Sequence, residues 1–232
     1  ELVCFALGID RARFDESKHH FVFGDNLTKI NDLADQRLSG EPIQYIIGEW
    51  DFYGLTFDVT RDTLIPRADT ETLVESGVEL LKTREKGRIL DLCCGTGCVG
   101  IAVLSNVSSG ITGIFGDISD DVLKVTRRNL FRNKLTARSL TVVTDAMQPY
   151  PESGGKYNLI LCNPPYIPTD ELKTLDREVQ REPVSALDGG CDGLDFYRSI
   201  AKNFRSTLVR GGPLLLEVGA GLAEQACEIT KN

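Results

Sequence analysis

From Gly87 onward, short apolar runs alternate with longer segments whose apolar residues recur every three or four positions. The apolar runs predict strands at Arg88–Leu92, Ile111–Asp117, Leu140–Thr144, Tyr157–Cys162 and Pro213–Val218. The periodic segments predict helices at Cys98–Ser105, Asp120–Asn133 with Ser119 as N-cap, Leu194–Leu208 and Leu222–Thr230. Strands apolar on both faces need helices on both faces, so the expected fold class is α/β, a doubly wound, mostly parallel sheet with right-handed crossovers. Ligands on such sheets bind beyond the carboxyl ends of the strands.

Upstream of Gly87 the pattern changes. Residues 1 to about 40 are polar and read as helical pieces; Asn31–Leu38 predicts a helix that stops at Ser39-Gly40, with Pro42 preventing its resumption. From Ile43 to Val59 aromatic and β-branched residues predict extended chain, with a hairpin turning at Tyr53-Gly54. Leu64-Ile65-Pro66-Arg67 reads as a connecting loop. Asp69 or Thr70 then caps a helix running to Leu81, with Glu71 in its first turn.

Composition changes this picture only by exclusion. A net charge of −8 argues against an extended nucleic-acid footprint, which usually shows as a basic face. No run of about 18 apolar residues exists, so no membrane span is expected. Seven cysteines form no disulfide framework, and Cys93, Cys94 and Cys98 lack a second Cys-x-x-Cys, so reduced thiols in a cytoplasmic protein without a metal are expected. The opening Glu1-Leu2-Val3-Cys4 has neither an initiator Met nor the layout of a signal peptide, which suggests a segment of a longer chain.

The residues of chemical interest follow strands. Asp91-Leu-Cys-Cys-Gly95-Thr96-Gly97 joins the first strand of the series to its helix, and its glycines permit a tight turn and close approach to a ligand. Asp117 ends the next strand, where a carboxylate can accept hydrogen bonds from ribose hydroxyls. Gly100 completes a Gly-x-Gly-x-x-Gly spacing, so a dinucleotide remains possible on spacing. Asp91 favours a cationic nucleoside such as S-adenosylmethionine over pyrophosphate. Asp145 reads either as a contact to the adenine amino group or as a turn residue before Met147.

Asn163-Pro164-Pro165-Tyr166 follows an apolar strand. Consecutive prolines stiffen the turn and remove donors from it. An amide nitrogen is a weak nucleophile because its lone pair is delocalised. The Asn163 side-chain oxygen and the Pro164 carbonyl are two fixed acceptors for its N–H bonds, and Tyr166 can wall its planar face. Catalysis would then be positioning and electrostatics, with no strong base. Neither His19 nor His20 lies near any of these motifs.

Together these stretches resemble the HemK-type protein-glutamine N5-methyltransferases that act on peptide-chain release factors. The likeness runs from about Arg37 to Glu228. It includes Gly40–Gly48, Leu64–Glu71, the Asp91–Gly97 loop, Asp117–Ser119, Asn163–Ile167, Glu182-Pro183, Gly189–Arg198 and Gly211–Gly219. The resemblance implies a Rossmann-like class I S-adenosylmethionine-dependent methyltransferase that modifies the glutamine of a Gly-Gly-Gln loop. It implies that Cys93, Cys94, Gly95, Thr96, Gly97, Asp117 and Ala146 contact the cofactor. Asn163, Pro164, Pro165 and Tyr166 would hold the glutamine, Asn163 touching both. It also implies three parts: a remnant helical substrate-binding lobe at 1–45, a linking hairpin at 46–62, and a methyltransferase domain at 63–232 that lacks its last two strands. Glycine is usual at the position of Cys93, and threonine at that of Cys94. Three rivals remain: a methyltransferase for nucleic-acid amino groups, which shares the Asn-Pro-Pro-Tyr motif, a cofactor-binding partner subunit, and a dehydrogenase.

Overall fold

The computed structural model describes residues 1–151 and 154–231. Its first helices are α1 (Leu2–Leu7), α2 (Arg11–Ser17) and α3 (Asp25–Leu38). Asp10 caps α2 by accepting from Arg13 N (2.8 Å), and Lys29 Nζ on α3 donates to Ala6 O (3.1 Å) to hold α1 against it. The expectation of extended chain from Ile43 is corrected: Ile43–Ile47 is a short helix, α4. Pro42, with φ −55, starts the turn and accepts from Ile46 N (3.2 Å). Gly48 ends it in the left-handed region, donating to Gln44 O (2.8 Å). β-branched residues favour strands only weakly, and a proline start with a glycine stop outweighs them here.

The expected hairpin is present. Strands β1 (Glu49–Phe52) and β2 (Leu55–Asp58) pair antiparallel around Tyr53-Gly54. Both turn residues have positive φ (50° and 73°), the two-residue turn whose twist suits a hairpin. Phe52 and Phe57 meet edge to face at 6.1 Å and are buried in the core. A 3-10 turn (Ala68–Thr70) leads into α5 (Glu71–Leu81), and Thr70 stands at its N-cap without a capping side-chain bond.

The remaining elements alternate: β3 (Lys86–Leu92), α6 (Cys98–Ser105), β4 (Gly110–Asp117), α7 (Asp120–Arg132), β5 (Ser139–Val143), β6 (Leu159–Cys162), α8 (Asp195–Phe204), β7 (Leu214–Leu216) and α9 (Ala223–Lys231). The five strands β3–β7 pair in parallel in the order β5-β4-β3-β6-β7. Alternate side chains enter opposite cores. Ile89, Phe115, Leu159 and Leu161 pack with α5, α6, α7 and the hairpin, while Leu90, Leu92, Ile114 and Ile160 pack with Ile200 and Phe204 of α8. Helices on both faces make the sheet doubly wound, as its central strands, buried on both sides, required. Among the described residues no helix is long and apolar enough to cross a membrane.

Candidate functional site

Two strand ends meet at the centre of the sheet. Leu92 of β3 lies opposite Cys162 of β6, so Cys93 and Asn163 leave the sheet side by side. The winding reverses here, with β4 and β5 on one side of β3 and β6 and β7 on the other. The crevice at such a reversal is where open α/β sheets hold ligands.

The loop after β3 is fastened from several directions. Cys94 N donates to Gly116 O (3.0 Å), which extends the sheet ladder. Gly95 N donates to Asp117 Oδ2 (3.1 Å), and Asp117 Oδ1 accepts from Ser119 N (3.2 Å). From α7, the Thr126 hydroxyl donates to Gly95 O (2.8 Å) and Asn129 Nδ2 to Thr96 O (2.9 Å). Gly95 has φ +53, and a Cβ built there would meet nothing within 4 Å, because its open side faces a cavity. Cys93 sits in the same left-handed region (φ 55). The loop therefore keeps a glycine-like path, and a cysteine carries the strain of following it, about 1 kcal/mol.

That cavity, about 530 Å³, opens beyond the strand ends. Cys93, Gly95, Asp117, Asp145, Ala146, Asn163 and Pro165 line it. Among the described residues, Asp62 and Asp188 raise the lining aspartates to four, and no lysine or arginine lines it. Such a wall repels pyrophosphate and attracts a cationic nucleoside, so the residues present fit S-adenosylmethionine and disfavour a dinucleotide. Asp145 Oδ1 accepts from Met147 N (2.8 Å), as a turn residue does, and Asp145 also borders the cavity. Burial pushes the Asp117 carboxyl up, against the N–H groups of Gly95, Ser119 and Ile118.

Cys94, Thr96 and Gly97 do not face this cavity. The Cys94 thiol is buried 3.7 Å from Thr126 Oγ1, and a Cβ on Gly97 would lie 2.8 Å from Thr126 Cγ2. Cys94 and Thr96 border only a narrow space of about 40 Å³ under the loop, shared with Asp91, Cys93 and Asn163. Asp91 is buried there, and its Oδ2 accepts from Gly100 N (2.8 Å) in the first turn of α6. Burial pushes its carboxyl up to about 8, with the Gly100 N–H opposing and Asp117 reinforcing. Burial also pushes the thiols of Cys94, Cys98 and Cys162 up, Cys98 to about 12, so they stay protonated. Among the described residues no cluster of three His, Cys, Asp or Glu side chains could hold a metal.

The Asn163–Tyr166 turn divides its side chains between two cavities. Asn163 and Pro165 border the 530 Å³ space, while Asn163, Pro164 and Tyr166 border a second one of about 270 Å³. Asn163 stands at the partition. Among the described residues no donor reaches Asn163 Oδ1 or Pro164 O, so both oxygens are available to a guest. Asn163 Nδ2 donates to Thr70 Oγ1 (3.4 Å), the hydroxyl that does not cap α5. Burial, reinforced by Glu217, pushes the Tyr166 hydroxyl up, so it remains a neutral phenol.

Neighbouring segments hold this turn in place. Ile167 N donates to Leu187 O (2.9 Å), and Gly189 N to Ile167 O (2.8 Å). Gly193, with φ +75, lets the next loop press on the turn; a Cβ there would come within 2.4 Å of Tyr166 O. On the other side Glu182 is buried, accepts from Ile65 N (2.9 Å) and pairs with Arg67, fixing the Leu64–Arg67 loop over the second cavity. A larger cavity of about 710 Å³ flanks edge strand β7, bordered by none of the strand-end loops described here.

Three of the residues that build the site were not singled out by their sequence: Thr70 as a partner of Asn163, Asn129 under the cofactor-side loop, and Glu217 in the second cavity. Asn129 left a signal. It falls on the same face of α7 as buried Val122, Val125 and Thr126, and a fully buried amide on an apolar stripe needs partners. Thr70 and Glu217 left none, since their partners are distant in sequence.

The family described as methyltransferase small domain matches residues 70–187. The release factor glutamine methyltransferase of Thermodesulfovibrio yellowstonii is 38% identical over 228 residues, which cover 97% of this chain and 80% of that protein. The protein of that name in Clostridium acetobutylicum is 32% identical over 232 residues, covering 100% of this chain and 81% of its own. Among solved structures, the hMettl16 catalytic domain in complex with MAT2A 3'UTR hairpin 6 superposes with a TM-score of 0.62. It is 13% identical and covers 100% of this chain and 83% of that one, a likeness of fold.

Proposed function

Because the chain belongs to the release factor glutamine methyltransferase family, we propose that it methylates the side-chain amide nitrogen, N5, of the glutamine in a release factor's Gly-Gly-Gln loop. The methyl donor is S-adenosylmethionine, which when bound supplies an electrophilic methyl group on a sulfonium. The observation that carries the reading is the place of Asn163, common to an acid-walled cavity and to the smaller cavity beside Tyr166.

Each residue has a distinct task. Asp117 and Asp145 offer oxygens to the nucleoside, while Gly95 and Ala146 leave space for it. Cys93–Gly97 holds the loop in shape, with Cys94, Thr96 and Gly97 acting from beneath. On the acceptor side, Asn163 Oδ1 and Pro164 O accept the two N–H bonds of the glutamine amide. Tyr166 covers its planar face. Holding a planar NH2 by both hydrogens fixes the direction of its lone pair, and most of the catalysis comes from that orientation. The same fixed oxygens stabilise the positive charge that develops on nitrogen. After transfer that nitrogen is strongly acidic and releases its proton without a dedicated base.

The helices of 1–45 form the lobe that presents the protein substrate, and 46–62 joins it to the catalytic part at 63–232. Arg37 pairs with Glu178, and Arg181 donates to Ser39 O (3.1 Å), so this lobe reaches the loops beside the second cavity. A release-factor substrate implies action in the cytoplasm. The test is mass spectrometry of a release factor after incubation with the chain and S-adenosylmethionine. One methyl group on the Gly-Gly-Gln glutamine is expected; methyl label in nucleic acid instead would overturn the reading.

A further inference from the structure

The residue after β7 is a carboxylate with a fixed position. Glu217 N donates to Cys162 O (2.9 Å), and its carbonyl accepts from Tyr197 Oη (3.0 Å). The main chain is thus clamped between β6 and α8, and the side chain borders the second cavity beside Asn163, Pro164 and Tyr166. Its Oε2 is shut off from solvent and has no hydrogen-bond partner among the described residues. A buried polar atom left unpaired is costly, so its presence beside a reaction site asks for a reason. The Thr70 hydroxyl and the Asn163 amide both face this carboxylate.

We propose that Glu217 is a positioning residue, whose carboxylate takes an N–H of Asn163 and thereby turns Asn163 Oδ1 toward the methyl-accepting nitrogen. The proposal rests on the glutamine-methylating reading above. A carboxylate only accepts, so of the two ends of the Asn163 amide only the NH2 can face it. The other N–H points at Thr70 Oγ1, and at 3.4 Å that bond is long. In the proposed arrangement the second N–H meets the unpaired Oε2. Both N–H bonds are then committed on the Thr70 and Glu217 side, and the oxygen is left facing the guest. Without Glu217 the amide can turn over and set its NH2 against the NH2 of the acceptor, donor against donor.

Protonation reverses this logic, because a neutral Glu217 becomes a donor and attracts Oδ1 instead. Burial raises its proton affinity, Asp69 adds to it, and Thr70 and Asn163 oppose it. Tyr166, Tyr197 and Cys98 also feel its charge, and Arg67 borders the same cavity.

The experiment compares the full chain with Glu217→Gln, using S-adenosylmethionine and a release factor. The variant is expected to keep its thermal midpoint and its affinity for the methyl donor, while kcat falls roughly 100-fold, the scale of a misplaced reacting group. The acid limb of the parent's kcat profile should be missing in the variant. A variant as active as its parent overturns this proposal alone. No transfer by the parent overturns the functional reading and the proposal with it. A second readout needs no variant: the side-chain NH2 resonances of Asn163 in the parent should shift over the pH interval in which kcat falls. Resonances that stay fixed across that interval overturn the proposal.

Discussion

An asparagine side chain has a donor end and an acceptor end, and the chemistry proposed here uses only the acceptor. That makes residue-scale details decisive: which atoms are free, and which way an amide faces. Cys93 is another such detail. Its φ of 55 is a conformation that glycine adopts freely and a side chain resists. Replacing it with glycine removes strain but adds backbone freedom to the unfolded chain, two effects of about 1 kcal/mol each and opposite sign. Cys93→Gly is therefore expected to leave the thermal midpoint within a few degrees and cofactor affinity intact. Cys93→Val, branched at Cβ, should lower both. A Cys93→Val variant as stable as the parent would show that the loop does not need this conformation.

At the scale of elements, much of the architecture was legible because burial imposes a period. Strands β3, β4 and β6, at the centre of the sheet, are largely buried and read as apolar runs. The half-exposed edge strands β5 and β7 were marked by short apolar stretches alternating with helices, so all five strands and the helices between them followed from the pattern. Boundaries were looser: α3 begins at Asp25 rather than Asn31, and β6 begins at Leu159, with Tyr157 making only an isolated bridge to Leu208. The helix at Ile43–Ile47 was misread because five residues carry too little period to outweigh their β-branched composition. Motif residues that follow strands were legible too, and Cys93, Gly95, Asp117, Asp145, Ala146, Asn163 and Pro165 do border one cavity. Of the residues that brace them, Asn129 left a signal in its place on the apolar stripe of α7, while Thr70 and Glu217 left none, since their bracing acts across the fold.

Asn129 shows what such bracing is worth. Its side chain accepts from Asp58 N (2.7 Å) and donates to Asp58 O (3.0 Å) and Thr96 O (2.9 Å), tying the hairpin and the cofactor-side loop to α7. Asn129→Ala strands three backbone groups, the buried Thr96 carbonyl and the part-buried N–H and carbonyl of Asp58, at up to about 1–3 kcal/mol each before relaxation. A loss of about 3 kcal/mol or more in urea unfolding is expected, with weaker cofactor binding. Stability within about 0.5 kcal/mol of the parent, the range of an ordinary surface change, would contradict the bracing role.

At the scale of the whole molecule, buried acids dominate the response to pH. Burial raises the proton affinity of Asp91, Asp117, Glu182 and Glu217, Asp91 to about 8. A carboxyl with a raised folded-state value holds its proton longer in the fold than in the unfolded chain. Its stabilising effect is complete below the unfolded value of about 4 and is lost as pH rises through the folded value. Exposed Asp120 and Asp192 shift the other way beside Arg127 and Arg198, but solvent weakens their effect. Unfolding in urea should therefore show a less stable protein near pH 8 than near pH 5, and Asp91→Asn should flatten the difference. A parent that gains stability across that interval would contradict the burial of these acids.

Asn163 carries the proposed chemistry most directly. Methyl transfer to a release factor and the dissociation constant for S-adenosylmethionine should be measured together in Asn163→Ala. Transfer is expected to fall by about 100-fold or more, near 3 kcal/mol of transition-state stabilisation, with the dissociation constant largely unchanged. Transfer at the parent rate, or a loss explained wholly by weaker cofactor binding, would contradict it.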